Sequence, residues 1–527
     1  MVLKRRIKII KQELQKNRKT AGRWNIHVKS MRKEGLLVLK ISKRWTTKGI
    51  SFLLMCFILL CPFSAFAEEP TTDYSSQSWL EAFGSLHSRI SAEYAFTEWK
   101  GVDWDALGNA CREKIEQAQA SDDFNAYYVA LRQYGNAIPD GHVRVSNLSQ
   151  VDDLYVGGGF GFSPALLSDG SVIACWVDET SDAYRAGMRA GDMLIRWNGE
   201  PFARAAQQAR VEFATNSATE ENAALKRVQY IARAPVGTAA TVVFEHPNDN
   251  GIYTANLTAY ADQGITLQKN YPDAVVPDPI RAMILNIPYN GPKADTMVAF
   301  RLLEGNIAYI RVLGELDIDL ADTGSAPSTL AAFRAAVQQA VDANAAGLIL
   351  DIRNNVGGLD DMTAAMLGSF YTQKTLFEYQ NVYDSATGTR SVSATGDSAG
   401  ALYIEPVEPC YTGRVIALIN QKCLSCGEGL AMGVRNLEKG DTLGFYGTNG
   451  SFGLAGAEAT MPGGFTVSWP SGQSLGADRQ IQLDSRNGVG GVAPTIRVPM
   501  TAENALKVAQ GEDVELAAAL TALQAKP

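Results

Sequence analysis

Apolar residues recur every three to four positions between residues 76 and 137, at Trp79, Phe83, Leu86 and Ile90 and again at Phe124, Tyr127, Tyr128, Leu131 and Tyr134. That is the spacing of helices with one buried face. The pattern breaks at Ile138-Pro139-Asp140-Gly141-His142, and Val143-Arg144-Val145 reads as the start of a strand. From Leu154 short strands alternate with glycine turns. Tyr155–Phe162 leads into a strand at Ser171–Val177, residues 203–232 return to helical spacing, and Thr238–Glu245 with Gly251–Ala259 alternate as a hairpin. A proline-rich join, Tyr271–Pro292, precedes a third texture. Strands are expected there at Ile307–Val312, Gly347–Ile352 and Val415–Asn420, and helices at Ser328–Ala345, Met362–Tyr371 and Gly427–Leu437. This alternation predicts a layered sheet with crossover helices. The expected fold class is therefore multidomain α+β: an N-terminal helical region (68–150), a β-rich domain (151–263), a linker (264–300) and an α/β core (301–527).

Charge changes the reading of the first 67 residues. The chain of 527 residues carries a net charge of -8, yet residues 1–48 hold sixteen Lys/Arg and two acids, leaving a strongly acidic remainder. Such a body lacks the clustered cations that nucleic-acid binding needs, so no nucleic-acid partner is expected. The basic start precedes an apolar run, Ile50–Pro62, and an Ala65-Phe66-Ala67 site before Glu68. Basic, apolar and small-residue segments in that order predict a secretory signal peptide over 1–67, with Met31 an alternative start. The apolar run is shorter than the ~20 residues of a spanning helix. Membrane contact is thus expected only if that segment stays uncleaved, and the protein is expected to be secreted or held in the cell envelope.

Five cysteines remain beyond the signal segment: Cys111, Cys175, Cys410, Cys423 and Cys426. They are too few and too odd in number for a disulfide framework, although a Cys410–Cys423 or Cys423–Cys426 bond stays open in an oxidising compartment. Cys423-x-x-Cys426 has no second ligand pair for zinc, so no metal and no cofactor are implied.

Two strings carry candidate chemistry. In Leu348–Gly358 a buried strand ends in Asp351-Ile352-Arg353-Asn354-Asn355-Val356-Gly357-Gly358, whose glycines let backbone N–H groups approach a carbonyl. In Asn420–Gly429, Ser425 stands where the strand Val415–Ile419 gives way to a helix starting near Cys426. A helix N-terminus offers partial positive charge and free donors, so the Cys426 N–H is a natural oxyanion donor. Together these strings resemble the D-[IL]-R-x-N-x-G-G and N-x-x-[ST]-x-S-x-[SG]-E signatures of the tail-specific (C-terminal processing) and tricorn-type serine peptidases. The resemblance covers about Ser76 to Val498 and implies that Ser425 is the nucleophile and that the Gly357-Gly358 loop supplies the second oxyanion donor.

The tail-specific branch uses a lysine base about 25 residues after the serine, but Leu443–Leu454 holds no lysine, and neither Lys422 nor Lys439 fits that slot. The tricorn-like branch uses a histidine from the N-terminal part. Of the three histidines beyond the signal segment, His87 lies on a helical face and His246 beside Pro247, whereas His142 follows a break and precedes a strand. His142 is the expected general base. The tricorn-like pattern also places a glutamate before G-V-x-P, where this chain has Gly488; Asp484 and Glu428 are the candidates to orient His142.

Residues Leu154 to Asp262 resemble the PDZ domains of bacterial proteases. Gly159-Phe160-Gly161-Phe162 looks like their carboxylate-binding loop, and Ala186–Leu194 resembles their A-G-x-x-x-G-D-x-[IL] turn. The resemblances imply a PDZ-like domain at 151–263, a catalytic domain at 301–527, and a secreted serine endopeptidase that cleaves extended or unfolded polypeptides through an acyl-enzyme. Its expected partners are polypeptide substrates or peptide C-termini. The alternative is a peptide-binding protein without catalysis.

Overall fold

The computed structural model describes residues 72–247, 251–285, 289, 291–392, 400–454 and 456–524. The expected signal segment, 1–67, and the alternative start at Met31 lie outside the described residues. Among the described residues no helix is long and apolar enough to cross a membrane.

Strand β1 (Thr72–Asp73) leads into helices α1 (Trp79–Glu93), α2 (Trp104–Ala120) and α3 (Phe124–Asn136). Each helix begins where a polar side chain accepts a first-turn N–H: Ser78 from Glu81, Asp103 from Ala106, Asp123 from Ala126. The expected apolar positions Phe83, Leu86, Ile90, Tyr127, Tyr128 and Leu131 are fully buried. This core is not closed by its own region, because Ala457, Ala459, Val467 and Trp469 complete it from far along the chain. The chain then turns at residues 138–142 into β2 (Arg144–Val145).

The β-rich part comprises β3 (Gly158–Gly159), β4 (Phe162–Leu166), β5 (Val172–Val177), β6 (Met193–Trp197), helix α4 (Glu220–Tyr230), β7 (Arg233–Ala234), β8 (Ala239–Glu245), β9 (Ile252–Thr258) and β10 (Tyr260–Ala261). Its main sheet runs β9-β8-β6-β5-β4, with β4 at an edge, and a small sheet runs β10-β3-β7. The expected hairpin forms with Ile252 opposite Glu245. The helical expectation for 203–232 holds for α4 and a single turn at Phe202–Ala205, while Ala206–Gln208 and Val211–Phe213 are 3-10 turns. Here the Arg132 guanidinium draws the Glu212 carbonyl (2.7 Å) and the Ala214 carbonyl (3.5 Å) out of any helical ladder.

The last part holds α5 (Pro279–Ile284), β11 (Val298–Leu303), β12 (Ile307–Val312), α6 (Thr329–Asp342), β13 (Gly347–Asp351), α7 (Asp360–Leu367), β14 (Val415–Leu418), α8 (Cys426–Arg435), β15 (Gly440–Gly444), β16 (Ala457–Thr460), β17 (Thr466–Trp469), β18 (Ile496–Arg497) and α9 (Val514–Gln524). Six strands form the sheet β11-β12-β13-β14-β15-β18, parallel except for the β11–β12 pair. Leu348, Ile349 and Leu350 are all fully buried, as a strand covered on both faces requires. Because β13 and β14 are adjacent and parallel, the loops after them leave the same edge of the sheet side by side. A second sheet, β1-β16-β17-β2, joins the N-terminal helices to residues 457–469. It delivers residues 138–145 to the same neighbourhood.

Candidate active site

The loop after β13 is held by its own polar residues. Asp351 accepts from Arg353 Nη2 (2.7 Å) and from the Tyr309 hydroxyl (2.7 Å), and Arg353 also reaches Asp513 and Glu515 at the start of α9. Burial alone would raise the Asp351 carboxyl, but the Arg353 guanidinium holds it well below the usual carboxylate range. Asn354 and Asn420 clamp the two loops together, the Asn354 N–H donating to Asn420 Oδ1 (3.0 Å) and Asn420 Nδ2 donating back (2.8 Å). The Asn355 carbonyl accepts the Leu424 N–H (3.1 Å). The first motif is thus a clamp on the second.

Ser425 takes φ 57° and ψ −127° at the head of α8. A left-handed conformation is costly for a side chain with a Cβ and persists only where the surroundings impose it. Its N–H donates to the Ser451 carbonyl (3.0 Å), and its carbonyl accepts from Glu428 N–H (2.8 Å). Its hydroxyl caps no helix N–H, which separates it from Ser78 and Ser328, whose side chains do. Gly357, at φ +83°, lies directly against it: a Cβ there would stand 2.6 Å from Ser425 Cβ and 3.2 Å from Cys426 N. Gly357→Ala is therefore expected to lower kcat on a fluorogenic peptide by at least about a hundredfold through displacement of the serine. Circular dichroism of the variant checks that the fold persists.

Of the three expected oxyanion donors, Gly357 is already engaged, its N–H donating to Asn355 Oδ1 (2.8 Å). The Gly358 and Cys426 N–H groups have no acceptor among the described residues. The pair consistent with an oxyanion hole is therefore Gly358 with Cys426.

Ser451 ties His142 to this centre. Its Oγ accepts the Gly141 N–H (2.8 Å) while its carbonyl accepts the Ser425 N–H, so one residue fixes both loops. A Cβ at Gly141 would meet Asn449 Oδ1 at 2.4 Å and Leu424 Cδ1 at 3.0 Å, so this approach requires glycine. His142 acts electrostatically on Asp360, whose carboxylate accepts from the Cys426 thiol (3.1 Å). Burial pushes the Asp360 carboxyl up to about 6.

The acid beside His142 is one that the sequence reading left unassigned. Asp140 Oδ1 accepts the His142 backbone N–H (2.8 Å) and stands 3.6 Å from His142 Nδ1, a buried nitrogen with no hydrogen-bond partner. Catalytic hydrogen bonds are often this long before substrate arrives. Asp140 also accepts from the Tyr94 hydroxyl (2.9 Å) and lies 3.5 Å from Lys100 Nζ. Burial opposes its charge, but Lys100 and His142 hold it well below the usual range.

Asp484 interacts electrostatically with His142, whereas Glu428 stands elsewhere. Asp484 contacts Lys100 (3.1 Å) and accepts the Phe452 N–H (2.9 Å). Burial, with Asp140 adding to it, pushes Asp484 up to about 7 against the pull of Lys100. Glu428 accepts from Thr448 Oγ1 (2.6 Å), Gly450 N–H (2.9 Å) and Ser451 N–H (2.8 Å), and so holds the loop that would carry a lysine in the tail-specific pattern. Neither forms an ion pair or hydrogen bond with His142. Lys100, forty residues before Asp140, left no signal in the sequence, whereas the acid two residues before His142 was in plain view.

The remaining expectations are placed as follows. All five cysteines are free thiols. Cys426 Sγ donates to Gly358 O (3.2 Å) and Asp360, and Cys423 packs into the hydrophobic core, so their sulfurs face different surroundings and no bond joins them. His87 meets the Tyr134 hydroxyl (2.9 Å) and His246 meets Asp192 (2.7 Å), as packing residues do. Gly159 is paired with Arg233 on one side and Tyr260 on the other, and the Phe160 and Phe162 rings are buried against Trp197. Gly161 gives its carbonyl to the Asp178 N–H. The face where β4 meets α4 is covered by the chain itself: Ser163 Oγ donates to Thr266 O (2.5 Å) and Gln229 Nε2 to Tyr271 O (3.2 Å). The side chains of Phe160 and Phe162 and the pairing of Gly159 are thus built into the fold.

Residues 306–498 match peptidase family S41, and residues 75–127 match the tricorn protease C1 domain. No curated protein matches the chain. Among solved structures, mature CPAF complexed with lactacystin superposes with a TM-score of 0.56 at 15% identity, over 84% of this chain and 98% of that one. A CPAF mutant gives a TM-score of 0.57 at 15% identity, over 82% of this chain and 95% of the other. At that identity the likeness is one of fold. The family match, lying over the strands and loops that position Ser425, shows that this chain carries a serine peptidase domain of family S41.

Proposed function

We propose that the protein is a serine endopeptidase acting outside the cytoplasm on extended or unfolded polypeptides. The observation that carries this reading is the uncapped Ser425 hydroxyl on a strained turn at the head of α8, tied through Ser451 to the His142 loop. In this reading His142 takes the Ser425 proton as Oγ adds to the substrate carbonyl, and the Gly358 and Cys426 N–H groups receive the oxyanion. His142 then protonates the leaving amine, and water repeats the sequence on the acyl-enzyme. Asp140 holds the imidazole and stabilises the imidazolium that forms during the reaction, with Lys100 keeping Asp140 ionised. A fluorophosphonate probe is expected to label the purified chain at Ser425 and to leave Ser425→Ala unlabelled. Absence of label on the unaltered chain would favour the peptide-binding alternative. The extracytoplasmic form is expected to begin near Glu68 by mass spectrometry, and an intact N-terminus there would replace cleavage with anchoring.

A further inference from the structure

A cavity of about 600 Å³ is walled in part by the segments that adjoin the nucleophile and the base along the chain. Lys422 lies three residues before Ser425, and Arg144 two residues after His142. His142 and Arg144 are partly exposed while Val143 and Val145 are buried, so the first two share one face of the strand. Two extended residues advance roughly 6.6 Å. A polypeptide with its scissile bond at Ser425 therefore has neighbouring residues within reach of Arg144.

The wall is rich in basic residues in an acidic protein. Five line it, Arg132, Arg144, Lys226, Arg281 and Lys422, against the acids Glu212, Asp273 and Glu458. Burial lowers Lys226 well below the ordinary lysine value. Two are already neutralised, Arg281 by Asp278 (3.1 Å) and Lys422 by Asp273 (2.5 Å) and Asp278 (3.5 Å), while the wall's Glu212 is taken by Arg210 (2.6 Å). Arg132 donates to neutral oxygens, among them Val145 O and Asn147 Oδ1 (both 2.9 Å), and Lys226 to the Thr215 and Asn216 oxygens. The Arg144 guanidinium has neither a hydrogen bond nor an ion pair among the described residues; Glu458, which also lines the cavity, attracts it, and Arg281 repels it. A guanidinium on a cavity wall with no protein partner is geometrically suited to a carboxylate.

We infer that Arg144 forms a specificity subsite that receives a carboxylate of the bound polypeptide, within about two residues of the bond at Ser425. The inference rests on the peptidase reading for what lies in the cavity, but its test does not need cleavage. Fluorescent peptides identical except for Glu or Gln at successive positions, all amidated, are titrated into the Ser425→Ala chain by anisotropy. A further peptide carries Gln and a free C-terminus. At one position Glu, or else the free terminus, is expected to bind at least about tenfold more tightly than its neutral counterpart. Arg144→Gln is expected to bring that ratio below about twofold, and Arg144→Lys to keep an intermediate ratio, since it retains the charge but not the fork. The ratio within one preparation separates lost preference from lost fold, and the lysine variant carries the test if the glutamine one does not fold. An advantage only for the free terminus identifies the chain end as the source, and an advantage for Glu identifies a side chain. No carboxylate preference at any position, or one unchanged in Arg144→Gln, overturns the subsite. Carboxylate-dependent binding in a chain whose unaltered form cleaves no peptide would instead remove the peptidase reading and leave the subsite standing.

Discussion

Replacing Ser425 or His142 by alanine is expected to reduce peptide cleavage by roughly three to six orders of magnitude, and the double variant by little more than either alone. Members of one catalytic unit fail together, so their losses do not add. For Ser425 the argument rests on an elbow in which Gly357, Ser451 and Glu428 all constrain the serine's backbone while its hydroxyl caps nothing. For His142 it rests on the Gly141–Ser451 bond, which places the imidazole loop against the same elbow. A lysine base is disfavoured on electrostatic grounds. Burial would lower Lys422, but Asp273 and Asp278 outweigh it and raise the ammonium above its ordinary value. Lys100 is likewise raised, burial being outweighed by Asp140 and Asp484. Both lysines stay protonated. Steady-state kinetics on an internally quenched peptide provides the check; full activity in His142→Ala with loss in Lys422→Ala or Lys439→Ala would transfer the role to lysine.

Asp140→Asn is expected to cost about two to four orders of magnitude in kcat, whereas Asp484→Asn costs less than about tenfold. The first removes the carboxylate beside His142 and the charge that favours imidazolium. The second removes a group already pushed up to about 7 that feels the His142 charge but forms no hydrogen bond or ion pair with it. The same contrast has a thermal signature. Asp484 titrates at about 7 in the folded chain against 3.8 ordinarily. Its contribution to stability is therefore full below the lower value and is lost as pH rises through about 7, when Asp140 and Asp484 must share one ammonium. The Tm of the unaltered chain is expected to fall from pH 5 to pH 8 more steeply than that of Asp484→Asn. Equal slopes, or a larger kinetic loss in Asp484→Asn than in Asp140→Asn, would return the orienting role to Asp484.

Local periodicity and motif were enough to determine the strands and helices around the catalytic loops, since β12, β13, β14, α6 and α8 begin within about two residues of where the alternation places them. Strand length, a helix following a strand, and paired glycines are properties of adjacent residues, and adjacency is what a sequence records. The serine, histidine and glycine loop were legible for that reason. Tertiary structure decided the rest. Which acid stands by His142 depends on Lys100 and on the sheet that joins residues 72–73 and 144–145 to 457–469. Whether Gly357 or Gly358 keeps a free N–H depends on where Asn355 points. Whether Gly159–Phe162 lies open depends on strands that arrive seventy to a hundred residues later. Each of these is a balance of burial, charge and hydrogen bonding between groups remote in sequence, and such balances exist only once the chain has closed on itself.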